Sequence, residues 1–209
     1  MKNIIITISL LFAFINLQAQ DQYTSGMQKA LGLWSENKTT EAIALFERIS
    51  QAEKEQWLPA YYAANVLISS SFQTKEASMI NEMLEKAKIH VKTAHDRSPN
   101  NSEITTLEGL LYTGYVAMEP QTYAMQYSPK IMELHSTARA YDERNPRAHL
   151  NLIEYEIGSA RFFNQDLSTF CDRLKEVVPM FDKQASDMPF APNYGKERAV
   201  GSMEECGCK

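Results

Sequence analysis

The 209-residue chain is poor in the residues that cross-link or punctuate a fold, with three cysteines, eight glycines and eight prolines. Cys171, Cys206 and Cys208 are too few to form the framework of a small secreted fold, so the core has to be hydrophobic. Their odd number leaves one thiol over in an oxidising compartment. Basic charge is also scarce: 21 Lys and Arg stand against 26 Asp and Glu, for a net charge of −5. With no basic stripe, the chain lacks the clustered cations on which affinity for phosphate backbones rests, which excludes a nucleic-acid binder. Catalytic signatures are missing together: there is no Gly-x-Ser-x-Gly elbow, no phosphate-binding glycine loop and no His-Glu-x-x-His pair. A non-enzymatic protein without a cofactor is therefore expected. His90 and His95 are five residues apart, on different faces of one helix, and His135 and His149 stand alone, so all four read as structural or solvated.

What the sequence does contain begins with a leader. Lys2 precedes a mostly apolar stretch from Ile4 to Leu17, and Ala19 supplies the small residue of a cleavage site before Gln20. The stretch is shorter than the ~20 residues that span hydrocarbon, so residues 1–19 read as a removable signal peptide and not as a retained membrane helix. No cysteine follows it to take a lipid, and the mature chain is expected in the periplasm or outside the cell, without a membrane anchor. Cleavage removes one cation, which leaves 20 − 26 = −6 on a mature chain of one folding unit.

Alternating β-branched runs are few, and apolar residues recur three and four apart, which is a helical pattern. Ala42, Leu45, Phe46 and Ile49 form one stripe; Met79, Met83, Ala87, Val91 and Ala94 form another; Ile131, Leu134, Ala138 and Tyr141 form a third. The methionines on such a stripe read as core filling. Asn37-Lys38-Thr39-Thr40, Ser98-Pro99-Asn100-Asn101 and Asn145-Pro146 mark breaks, since proline disfavours helix at the residue before it and suits the first helical turn. Helices are predicted at 22–36, 40–54, 58–72, 76–97, 101–117, 129–144, 146–162 and 166–187. Residues 119–129, with a proline near each end, read as a projecting loop. Pro179 is predicted to kink or divide the last helix.

Paired in order, the helices make four hairpins whose spacing resembles the tetratricopeptide repeat. Ala30, Leu33, Asn37, Glu41, Ala42 and Phe46 match that pattern in the first hairpin, Ala87, Val91, Ala94 and Pro99 in the second, and Gly109, Tyr112 and Pro146 in the third. Phe190-Ala191-Pro192-Asn193-Tyr194-Gly195-Lys196-Glu197 is similar to the closing segment of small exported tetratricopeptide-like proteins of Bacteroidetes. The resemblance implies an all-α fold over residues 20–198, a right-handed stack of about four antiparallel hairpins. Tyr194 is expected to cap the last hairpin, and residues 199–209 to form a flexible tail.

For function, the architecture suggests a scaffold that holds a peptide or protein in a concave groove lined by the first helix of each hairpin. Trp34, Tyr61, Asn65, Thr113, Asn151 and Tyr155 are the groove candidates. The alternative is a metal- or thiol-handling protein acting through Cys206 and Cys208, because two thiols one residue apart can chelate a soft metal or exchange with disulfides. The same cysteines have two other readings, pairing with Cys171 or another chain, and an inert tail.

Overall fold

The computed structural model describes residues 21–184 and 186–209, so the predicted signal peptide lies outside the described residues. Every regular element among these residues is helical. Helix α1 covers residues 21–35. It is followed by α2 (Thr39–Ala52), α3 (Leu58–Ser71), α4 (Ala77–Arg97), α5 (Ser102–Met118), α6 (Pro120–Tyr141) and α7 (Pro146–Phe162). A short 3-10 helix (Leu167–Phe170) leads into α8 (Cys171–Lys183), and α9 (Lys196–Glu205) comes last.

The helix starts follow from local chemistry. Asn101 is extended, and its side chain accepts hydrogen bonds from the Glu103 and Ile104 amides that α5 leaves unpaired. Asn145 does the same for Arg147 and Ala148, with Pro146 in the first turn of α7. Asn37 and Asn100 take left-handed backbone conformations at the breaks before α2 and α5, which suits asparagine better than most residues. The start of α2 has no such side-chain cap: Lys38 precedes the helix and makes no side-chain bond to it.

Consecutive helices pack against each other from α2 to α8, and α5 also touches both α3 and α7. The layer α3, α5, α7 is therefore the inner one. Its burial agrees, since α3 is covered on nearly every side while α2 and α4 bury one stripe each. The predicted stripes supply that burial with exceptions at their ends. Ala42, Phe46, Ile49, Ala87, Val91, Ala94, Ile131, Leu134 and Ala138 are buried, while Met79 and Tyr141 stay about half exposed.

Residues 119–129 are not a loop. Pro120 takes the first turn of α6, where its missing amide costs nothing, and Pro129 is carried inside the helix. The stretch between them packs through aromatic contacts: Tyr123 and Tyr127 stack on each other, and Tyr127 lies 4.9 Å from the ring of Tyr112 on α5. The segment read as a flexible tail carries most of α9.

Candidate functional site

The inner face is divided by the chain itself. Between α8 and α9, Gln184 and residues 186–195 form a strap across it, and Tyr194 is the anchor. The Tyr194 hydroxyl hydrogen-bonds that of Tyr61 and accepts from Asn65 Nδ2 at 2.8 Å, and its ring meets Trp34 edge-on. Tyr62 donates to the Phe190 carbonyl at 2.8 Å. The Tyr194 side chain thus docks against α1 and α3, while its carbonyl is held by Arg147 of α7, at the start of the last hairpin it was expected to cap.

Beneath the strap, Arg147 is 2 % exposed and ties four segments together. Its Nε donates to Glu103 Oε2 at 2.8 Å and its Nη2 to Glu103 Oε1, while Nη1 donates to Gln184 Oε1 at 2.9 Å and to the Tyr194 carbonyl at 3.0 Å. The guanidinium also lies 5.4 Å from the centre of the Tyr194 ring. Burial works against its charge, but the hydrogen bond and negative charge of Glu103 outweigh it and leave the Arg147 pKa above its ordinary range. The Tyr194 phenol is pushed up to about 12, chiefly by burial, and stays neutral. Gly195 has φ +113°, and a Cβ there would meet the Phe181 ring at 2.9 Å, so the turn out of the strap requires glycine.

The part of the inner face that the strap leaves free is an open cleft of about 630 Å³ between α3, α5, α7 and α9. Its size is in the range of small-molecule sites. Ser69 and Phe72 come from the end of α3, with Phe72 45 % exposed, and Leu110 and Thr113 come from α5. Helix α7 contributes Asn151, Glu154, Tyr155, Ile157, Gly158 and Arg161, and α9 contributes Arg198, Gly201, Ser202 and Glu205. Two of these are glycines on different helices, and a Cβ at Gly158 or Gly201 would meet nothing within 4 Å. Neither glycine is needed for close packing, and each costs its helix about 1 kcal/mol relative to alanine. Both positions leave free space beside the cleft.

The polar groups of the cleft are ordered by pairing. Arg198 Nε lies 2.9 Å from Glu154 Oε1, Arg198 also donates to Asn151 Oδ1, and Arg161 pairs with Glu205. Ser202 Oγ donates to Glu154 at 3.2 Å. Burial raises the Glu154 carboxyl, with Arg198 pulling it partly back. Tyr155 donates to Ser128 Oγ at 2.6 Å, which fixes its phenol at the α6 side.

The six groove candidates are divided by the strap. Thr113, Asn151 and Tyr155 come together in the open cleft, whereas Trp34, Tyr61 and Asn65 lie under or against the strap. Phe72, Leu110, Gly158 and Arg161 were not among the candidates, nor was any residue of α9. On α7 a signal was present, since 151, 154, 155, 158 and 161 share one face by helical spacing. On α9 it was hidden by reading residues 199–209 as tail.

The thiols are arranged by α9. Cys171 and Cys208 form a disulfide, and Cys206 is buried with its thiol pKa raised by burial. Cys206 and Cys208 are therefore not the paired metal ligands they were read as, because one sulfur is bonded and the other faces a core. Among the described residues no group of three or more His, Cys, Asp or Glu side chains is placed to hold a metal ion. His90 and His95 pair with Glu47 and Glu108 at 3.0 and 2.9 Å, and His149 reaches the Glu143 carbonyl at 2.9 Å. His135 is fully buried, and both its ring nitrogens lack partners.

No protein-family model matches the chain, and no curated protein matches it in sequence. Among solved structures the chain is similar to the HusA haemophore from Porphyromonas gingivalis, with a TM-score of 0.74 and 21 % identity over 87 % of this chain and 90 % of that one. The likeness supports an all-α fold of several packed helices, but not a tetratricopeptide array as such. It overturns the expectation of a peptide- or protein-binding scaffold, because the matching protein is a haemophore, and the strap already covers Tyr61, Tyr62 and Asn65 on the face a peptide would use. A non-enzymatic role and a periplasmic or secreted address are in keeping with a haemophore, and no helix among the described residues is long and apolar enough to cross a membrane. At this level of identity the likeness establishes the fold: a bundle of stacked helices shared with a haemophore over nearly the whole of both chains.

Proposed function

We propose that this protein is an exported haem-binding carrier that takes the porphyrin into the cleft between α3, α5, α7 and α9. The observation that carries the reading is the cleft itself: a space of about 630 Å³, lined in part by Gly158 and Gly201 with free space beside them, in a chain with a haemophore's fold. Its residues suit the cargo. Phe72, Leu110 and Ile157 offer apolar surface to the macrocycle, and Arg161 and Arg198 offer cations to its two carboxylates. Tyr155 is the residue of the lining whose type ligates haem iron, the histidines, methionines and cysteines lying elsewhere among the described residues. Both guanidiniums are already paired, so cargo carboxylates compete with Glu154 and Glu205 for them. The stacked hairpins, whose spacing resembles tetratricopeptide units, act in this reading as the rigid wall of the cleft.

Hemin titrated into the mature chain is expected to give saturable, one-to-one binding followed by its Soret absorbance. Gly158→Leu and Gly201→Leu place side chains in free space, so each variant is expected to keep its fold and lose at least tenfold in affinity. No saturable change in the wild type, or equal affinity in both variants, would overturn the assignment.

A further inference from the structure

Helix α9 forms one wall of the cleft, through Arg198, Gly201 and Glu205, and its non-covalent hold on the rest of the fold is small, with Ala199 and Met203 as its contribution to the smaller apolar cluster. Within the helix Ala199 and Ser202 are the buried residues. Its ion pairs to Glu154, Arg161 and Asp182 are partly exposed, the class that contributes least to stability. The covalent link is at its far end, where Cys208 is bonded to Cys171 at the start of α8. The third thiol does not compete for this bond: Cys206 is buried between α8 and α9, and burial disfavours its thiolate, the form that reacts.

We propose that formation of the Cys171–Cys208 disulfide after export completes the cleft, so that the reduced chain inside the cell is a poor binder and the oxidised chain outside is a competent one. The inference rests on the haem-binding reading for its cargo and on α9 for its mechanism. The oxidant is a disulfide-bearing protein or small molecule. The thiolate of one cysteine attacks an oxidant sulfur and expels the other as a thiolate, giving a mixed disulfide. The second cysteine then displaces the oxidant from the first. Two electrons and two protons pass from the cysteine pair to the oxidant, which leaves as a dithiol.

The test compares the oxidised wild type with the Cys171→Ser/Cys208→Ser double variant, using Cys206→Ser as control, by hydrogen exchange and by hemin titration. In the double variant, amides of residues 196–205 are expected to exchange at least tenfold faster while α2–α5 keep their protection, and hemin affinity is expected to fall at least tenfold. Cys206→Ser is expected to retain both properties. A smaller fall in affinity, unchanged exchange in α9, or faster exchange spread through α2–α5 would each overturn the proposal. If the wild type binds no hemin, the cargo assignment is lost, and exchange alone then decides whether the disulfide secures this wall.

Discussion

Arg147 lies at the centre of the polar network on the inner face, and its environment sets the cost of removing it. The side chain is 2 % exposed and its partner Glu103 15 %, so truncating the cation leaves a carboxylate facing a buried site without compensation. Breaking a pair of this kind costs about 3–5 kcal/mol. Arg147→Met is expected to lower unfolding stability by that amount in urea titration, and Arg147→Met/Glu103→Leu to recover part of it; equal stability of the single variant and wild type would refute this. His135 is a second residue with a definite consequence. A Cβ on Gly109 would come within 2.7 Å of its imidazole, so the glycine read as a packing residue makes room for a buried histidine. Burial lowers the His135 pKa from 6.5 to about 4. The unfolded chain takes up this proton near pH 6.5 and the folded chain only near pH 4. The folded state therefore keeps its full stability above pH 6.5 and loses roughly 3 kcal/mol through this residue as pH falls to about 4. His135→Leu is expected to remove that share of the acid sensitivity, read as the difference between variant and wild-type urea midpoints at pH 7.5 and pH 4.

At the scale of elements, boundaries governed by neighbouring residues were legible and those governed by distant ones were not. Asn101 and Asn145-Pro146 begin helices because a side-chain carbonyl and a fixed φ act within three residues. The two prolines around residues 120 and 129 gave a loop signal that packing overrode, since the rings of Tyr123 and Tyr127 are covered only if α6 runs on through Pro129. Helix α9 was missed because its ten residues bury little and its order comes from α7 and α8. The disulfide that joins α9 to α8 closes a span of 37 residues, and a loop of that size contributes about 4 kcal/mol by restricting the unfolded chain.

At the scale of the whole molecule, most buried apolar side chains among the described residues fall into two clusters, one drawn mainly from α1–α5 and a smaller one from α7–α9 that includes Leu150, Ile153, Leu174 and Val177. The smaller cluster has less apolar area to lose on opening, so native-state hydrogen exchange is expected to release α8 and α9 before α3 and α5. Simultaneous release would show a single cooperative core. The sequence by itself determined the helical class, most helix starts and the inward stripes, because 3.6-residue periodicity and capping are properties of residues close together along the chain. It also placed Thr113, Asn151 and Tyr155 on the inner face. Only the tertiary structure decided that Tyr194 reaches Tyr61, 133 residues away, that the strap crosses the inner face, and that Cys208 bonds Cys171 instead of serving beside Cys206. Those outcomes depend on which surfaces meet after the helices stack, and contacts between chain segments so far apart leave no period in the sequence.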